Sequence, residues 1–346
     1  MKMRDFWYEL PEGLIAKYPV KKRGESNLLV LDRESGEIEH RRYFNLVEYI
    51  REGDVVVLNE TRVLNCRTFF ISSRGKEVEV FFLEDLGGGV WFGLVGRARD
   101  VFEGEVLRGS QGDILIRVGK RRGNGFLISF LRGSSEELFE RYGHVPLPPY
   151  MRREDVRKDR ERYNTVFARL GGSVAAPTAS LNLTDEILEG IERRGARVVR
   201  VELRVGWGTF QPVREENIED FRIHEEYLSV SKGVAEVING RKGRLWAFGT
   251  TVARVLESVA YMSDGRYLVR EFSGRTGLFI FPGYEWRVVD VLVTNFHMPD
   301  SSLILLVSSF GGVENVRRAY AEGIERGYRF LSYGDSMLIG SGLVGS

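Results

Sequence analysis

The sequence predicts an α/β fold in which a layered main domain carries an inserted small antiparallel β-barrel. From about Cys66 to Gly133, short β-rich segments succeed one another across Gly-bearing turns without a helical period, the texture of a small barrel. From about Tyr163 onward, strands alternate with helical stretches, the pattern of an α/β domain. Four apolar β-like runs also end abruptly in small polar residues. They are DVVVL before Asn59, Glu60, Thr61 and Arg62; ARVVRVELRV before Gly206, Trp207, Gly208 and Thr209; RLWAF before Gly249, Thr250 and Thr251; and VVDVLV before Thr294, Asn295, Phe296 and His297. Ligand sites of open α/β sheets gather beyond the carboxyl ends of strands, where loops are free of ladder duties. The endings therefore predict an enzyme with one composite site.

Taken in order, Leu28 to Leu31, a Ser35-Gly36 turn and a second short strand form a hairpin, since turn residues separate two β-prone runs. A short helix around Asn45 to Arg51 and a strand from Asp54 to Leu58 follow. The segments VEVFFLED, GVWFGLVGRAR, GEVLRG, DILIRVGK and GFLISFLRG supply the barrel. Pro146, Pro148 and Pro149 close it, because proline suits neither a helix interior nor a central strand. Mixed charges from Arg152 to Arg162 read as a solvated face laced with ion pairs. Helices are expected at Thr184 to Arg194, Ser231 to Gly240, Thr251 to Met262 and Val313 to Arg326. The implied domains are 1–65 with 150–346, and 66–149 inserted between them.

With 346 residues, the chain is long enough to bury a large core. Fifty Lys+Arg against 49 Asp+Glu leave a net charge of +1, so a nucleic-acid surface has to be a local patch. Cys66 is the sole cysteine, which rules out an intrachain disulfide and a cysteine-built zinc site and fits a reducing cytoplasm. The start MKMRDFWYELPEGL lacks the apolar core of a signal peptide. The most apolar run, Leu303 to Phe310, is far short of the roughly 20 residues of a spanning helix. No GxGxxG, P-loop, HExxH or spaced metal-ligand cluster occurs.

Several groupings carry candidate chemistry. Gly249, Thr250 and Thr251 stand between a strand and a helix, where free amides and hydroxyls suit a phosphate, carboxylate or ribose hydroxyl, unless one threonine simply caps the helix. In VGWGTFQPV, Gly206 and Gly208 permit close backbone approach, and Trp207 or Phe210 can stack on a heterocycle or plug the core. His297, with Thr294 and Asn295 beside it, can serve as acid, base or hydrogen-bond partner. Asn59, Thr61 and Arg62 form a further polar ending. His224 and Glu226, two apart, would share one side of an extended strand as an acid/base pair or as exposed charge.

The strings FWYELPEGLIAKYP, DVVVLNETRV, HVPLPPYMRR, AAPTASL, VGWGTFQPV, AFGTTVARVLES, FIFPGY, VVDVLVTNFHMPDSSLILLVSSFGG and YRFLSYGDSMLI run from residue 5 to about 339. In sequence and order they closely resemble the S-adenosylmethionine:tRNA ribosyltransferase-isomerase family of queuosine biosynthesis. The resemblance implies transfer of the ribosyl part of S-adenosylmethionine to 7-aminomethyl-7-deazaguanine at the wobble position of a tRNA. The ribosyl group is isomerised to give epoxyqueuosine, with release of adenine and methionine. It implies a cytoplasmic monomer with an inserted β-barrel, S-adenosylmethionine as co-substrate, no metal and no membrane partner. It makes His297, His224, Glu226 and Asp335 the acid/base candidates. Thr250, Thr251, Thr294 and Asn295 would meet ribose hydroxyls or the methionine carboxylate, Trp207 or Phe210 would stack on a base, and Arg254 and Arg62 would pair with phosphate or carboxylate. Pro177 and Thr178 of AAPTASL, with Gly206, Gly208 and Thr209, complete the expected site.

The chain departs from the family pattern in two places. Ser180, Asn182 and Leu183 stand where PTAGLHF is common, and Arg204 replaces the histidine of LHVG. Two alternatives follow: a non-catalytic tRNA-binding relative, and an S-adenosylmethionine-dependent methyltransferase, although the Gly-rich first strand-turn common in methyltransferases is missing.

Overall fold

The computed structural model describes residues 1–96, 101–206, 208 and 212–345, and its centre is a nine-stranded mixed sheet. The chain enters through β1 (Asn27–Asp32), β2 (Ile38–Arg42) and β3 (Val55–Asn59). A short β4 (Thr61–Val63) leads to β5 (Arg67–Ile71), β6 (Glu77–Asp85), β7 (Val90–Val95), β8 (Val106–Gly109), β9 (Leu115–Arg122) and β10 (Gly125–Arg132). These last six close an antiparallel barrel in the order β10-β7-β6-β5-β8-β9. The chain returns by β11 (Leu170–Ser173), which pairs in parallel with β4. Then come β12 (Arg197–Leu203), β13 (Glu226–Val230), β14 (Leu245–Phe248), the hairpin β15 (Ala260–Ser263) and β16 (Arg266–Val269), β17 (Phe272–Thr276), β18 (Val291–Asn295) and β19 (Ser336–Gly340).

The large sheet runs β17-β13-β12-β3-β14-β18-β19-β1-β2. Its four middle strands β12, β3, β14 and β18 are mutually parallel. They are the four runs singled out by their polar endings, so Leu203, Asn59, Phe248 and Asn295 finish side by side on one edge. Because β19 is antiparallel to β18 and parallel to β1, the amino ends of those two strands reach the same edge.

Alternation along each strand sends residues to two apolar layers. Leu29, Val55, Val57, Leu245, Ala247 and Leu292 join the core under α4 (Lys232–Asn239), α5 (Thr250–Val259), α6 (Ser302–Gly311) and α7 (Val313–Glu325). Leu28, Val56, Leu58, Trp246, Phe248 and Val293 pack on the opposite face with Ile187 and Ile191 of α3 (Asp185–Arg193). With both faces covered, the central strands can be apolar at every position. The barrel has its own core around Phe70, Val80, Phe82, Trp91, Ile116 and Ile128, and α1 (Ser135–Arg141) caps it through Leu138 and Phe139.

The expected fold class is the one found, and the differences are local. The helix expected at Asn45 to Arg51 is a 3₁₀ helix at Tyr43–Tyr49, because Asn45 turns back to accept the Arg42 amide and so lies inside the first turn. The helix expected to reach Met262 stops at Val259. An Asp264-Gly265 turn with positive φ at both residues pulls the chain into the β15–β16 hairpin. The stretch read as a solvated charged face is exposed at Arg152, Glu154, Arg157, Lys158, Arg160 and Glu161, but α2 (Arg157–Arg162) also folds around a buried carboxylate: Asp159 takes a two-pronged ion pair from Arg153, the Val156 amide and the Tyr333 hydroxyl.

Candidate active site

A cavity of about 240 Å³ opens past the ends of β14 and β18. Every residue of β14 is buried, so the first polar groups come where the strand stops. It stops at Gly249, whose φ of 102° places it where side chains are rarely tolerated; a Cβ there would stand 3.4 Å from Thr251 Oγ1 and 3.6 Å from Ala179 Cβ. The helices α3, α4 and α6 begin with Thr184, Ser231 and Ser301, each of which accepts a first-turn amide, whereas α5 begins at Gly249 with no side-chain cap. The amides opening α5 are thus left to the cavity that Gly249, Thr250 and Thr251 line. This is the chemistry of an anion cradle, because the helix dipole adds to the free N–H groups.

The end of β18 supplies the facing wall. Asn295 is 2% exposed, donates through Nδ2 to the Asp335 carbonyl at 3.3 Å, and has no partner for Oδ1 among the described residues. A buried acceptor left unpaired costs roughly 1–3 kcal/mol, and the residue that carries it borders the cavity. Thr294 Oγ1 lies 2.8 Å from His297 Nε2. The His297 amide donates to the Tyr320 hydroxyl at 3.0 Å, and its carbonyl accepts from Tyr8. Burial pushes the His297 imidazole down to about 3. It is therefore neutral at physiological pH, a hydrogen-bonding group that takes up a proton only weakly.

The remaining expected residues divide into those near the cavity and those apart from it. Thr178 lines it, and buried Pro177 sits between the lining residues Ala176 and Thr178. Asp335 is buried beneath, bonded to the Asn27 amide and side chain and to the Arg329 amide; burial raises its carboxyl above the usual range. Glu226 opens β13 and joins Arg254 of α5 at 2.6 Å, both 5% exposed, while its other oxygen accepts the Gly206 amide at 2.8 Å. His224 precedes β13 and is exposed, with its ring so close to Gly208 that a Cβ there would collide with it. Trp207, Thr209 and Phe210 lie outside the described residues. Asn59 is off the cavity wall: it stitches β3 to β12 by accepting the Leu203 and Thr61 amides and donating to the Leu203 carbonyl. Thr61 is buried beside it, and Arg62 is exposed on β4.

The substituted positions are also off the wall. Asn182 donates to the Gly334 carbonyl at 3.2 Å, and Leu183 is fully buried. Arg204 is exposed, paired with Glu202 at 2.7 Å and lying over the Tyr227 ring. Ser180 is buried, one residue past the lining residue Ala179.

Sequence reasoning missed a wall made of distant segments. Tyr150 and Ser332, 182 positions apart, are hydrogen-bonded there. Leu331 beside them has a φ of 72°, a strained conformation of the kind that concentrates at functional sites. Met298, Asp300 and Ser301 bring the start of α6 to the same wall. The PLPPY and MPDSS strings were the available signal. A second, larger cleft of about 700 Å³ lies between the barrel and Pro146 to Pro149, lined also by Arg67, Glu79 and Phe81; Pro149 borders both spaces.

Comparison with known proteins places this arrangement. The family described as "Queuosine biosynthesis protein" matches residues 3–339. The chain is 44% identical over 343 residues to the S-adenosylmethionine:tRNA ribosyltransferase-isomerase of Chlorobaculum parvum, covering 98% of this chain and 100% of that protein. It is 41% identical over 347 residues to the protein of the same name from Thermoanaerobacter sp., again over 98% of this chain and 100% of the other. The crystal structure of S-adenosylmethionine tRNA ribosyltransferase from Thermotoga maritima matches with 32% identity and a TM-score of 0.55, over 97% of this chain and 99% of that one. With this match across nearly its whole length, the chain belongs to the queuosine biosynthesis protein family.

Proposed function

We propose that the protein is an S-adenosylmethionine:tRNA ribosyltransferase-isomerase that works at the cavity beyond β14 and β18. The observation that carries the placement is the pairing of an anion cradle at the start of α5 with Asn295, a cavity-lining residue whose buried Oδ1 has no partner among the described residues. S-adenosylmethionine presents both chemistries, a carboxylate and polar groups that can donate to a buried acceptor. In this reading the co-substrate carboxylate meets the amides and hydroxyls of Thr250 and Thr251, and Asn295 Oδ1 accepts from a ribose hydroxyl or the adenine amino group. Thr294 and the neutral His297 imidazole orient the reacting groups of the co-substrate by hydrogen bonding. The Glu226–Arg254 pair holds the Gly206 loop from behind the cavity, and the cleft beside Pro149 gives the tRNA nucleotide its approach. Residues 66–149 act as an inserted unit on a main domain of 1–65 and 150–346, in a cytoplasmic monomer. No helix among the described residues is long and apolar enough to cross a membrane.

The test is to incubate the protein with S-adenosylmethionine and a tRNA bearing 7-aminomethyl-7-deazaguanine, then analyse small products and digested nucleosides by mass spectrometry. Free adenine and epoxyqueuosine, both dependent on the modified tRNA, are expected. S-adenosylhomocysteine would instead indicate methyl transfer, and intact co-substrate beside bound tRNA would indicate a non-catalytic binder.

The pH profile follows from the state of His297. Since burial holds the imidazole at about 3, its neutral form is fully populated above pH 5. The kcat/KM of the reaction should show no acid limb near 6.5, the ordinary histidine value. A limb there that vanished in His297→Gln would contradict the assignment.

A further inference from the structure

RNA affinity in a chain of net charge +1 has to come from a local concentration of cations. One end of the barrel provides it. Buried Glu105 accepts the Ser73 amide at 3.1 Å and the Ser73 hydroxyl at 2.8 Å, tying the β5–β6 turn to the segment before β8. The Gly104 amide donates to the Val118 carbonyl at 2.7 Å, tying that segment to β9. Arg74, Arg117, Lys120, Arg121 and Arg122 are thereby gathered at one end, all exposed. The barrel's ion pairs among the described residues join Arg67 to Glu79 and Glu154, Arg141 to Asp113 and Glu137, and Arg275 to Glu84, so none uses these five cations. Among the described residues, Glu77 and Glu103 are the exposed acids nearby, and Glu105 is held inward by Ser73 and the Phe102 amide.

An aromatic residue stands among the cations. Phe102, on the segment that Glu105 anchors, is 53% exposed. Exposed cations interleaved with an exposed aromatic suit a polyanion with stackable bases. No described residue of the six barrel strands or their turns lines the active-site cavity, so this surface is separate from the reacting centre.

We propose that this end of the barrel grips the tRNA at phosphates away from the reacting nucleotide, with Phe102 stacking on an unpaired base. The proposal rests on the tRNA reading above and adds to it a second contact that sets tRNA affinity without touching S-adenosylmethionine. The full-length variant Lys120→Glu/Arg122→Glu, its neutral counterpart Lys120→Gln/Arg122→Gln, and Phe102→Ala test it by tRNA Kd across a salt series and by the KM for each substrate. All three side chains are exposed, and unchanged thermal unfolding would certify the fold.

Charge reversal should raise the tRNA Kd at least tenfold, with the neutral pair intermediate, and flatten the log–log salt dependence by about one to two. Phe102→Ala should weaken binding by about tenfold, and the KM for S-adenosylmethionine should stay within twofold throughout. If the parent protein reacts with the tRNA and the variants bind it with unchanged Kd and salt slope, the barrel contact is wrong. A parent that neither binds nor consumes the modified tRNA would overturn both this contact and the functional reading beneath it.

Discussion

Replacing Glu226 with alanine is expected to destabilise the fold by about 3–5 kcal/mol, the usual cost of removing one partner of a buried ion pair. Arg254 is 5% exposed, and its Nε and Nη2 already have no partner among the described residues. Without Glu226, it loses the carboxylate at 2.6 Å and the Gly206 amide loses its acceptor. Against a total stability of about 5–15 kcal/mol for a typical domain, the change is large. Urea unfolding of the variant checks it. The double variant Glu226→Leu/Arg254→Met should recover most of the loss, since it removes both charges together. A single variant within 1 kcal/mol of the parent would show that the pair does not hold the Gly206 loop.

The second large effect is on function. Asn295→Leu should lower kcat/KM on the order of a hundredfold, because the ligand group that Oδ1 accepts would lose its partner in a buried site. Stability should move little. Leucine gives up the bond to the Asp335 carbonyl, but it also removes a buried acceptor with no partner of its own among the described residues. Parallel measurement of kcat/KM and urea unfolding separates the two effects. A variant that loses stability in proportion to activity would make Asn295 a structural residue.

How much was legible depended on where the information lay along the chain. The central strands could be read because β3, β14 and β18 are covered on both faces, which forces unbroken apolar runs and puts the first polar residue at each strand end. That is why Gly249, Thr250, Thr294, Asn295 and His297 were identifiable and why they stand together. Asn59 has the same position on its strand, yet its amide bridges β3 and β12, and nothing local distinguishes a stitching asparagine from a binding one. The α6 helix was hidden because it is apolar all round and shows no period. Tyr150, Leu331 and Ser332 were hidden for a different reason. They become a wall only when the segment after the barrel meets the segment before β19, a contact between positions nearly two hundred residues apart.

The central claim is that the co-substrate occupies the cavity at the ends of β14 and β18, and the most direct measurement is a crystal structure of the protein with S-adenosylmethionine bound. The account predicts the methionine carboxylate on the amides of Thr250 and Thr251 and a ligand donor within hydrogen-bond distance of Asn295 Oδ1. Density for the ligand in the cleft between the barrel and Pro146 to Pro149, with the strand-end cavity empty, would contradict it.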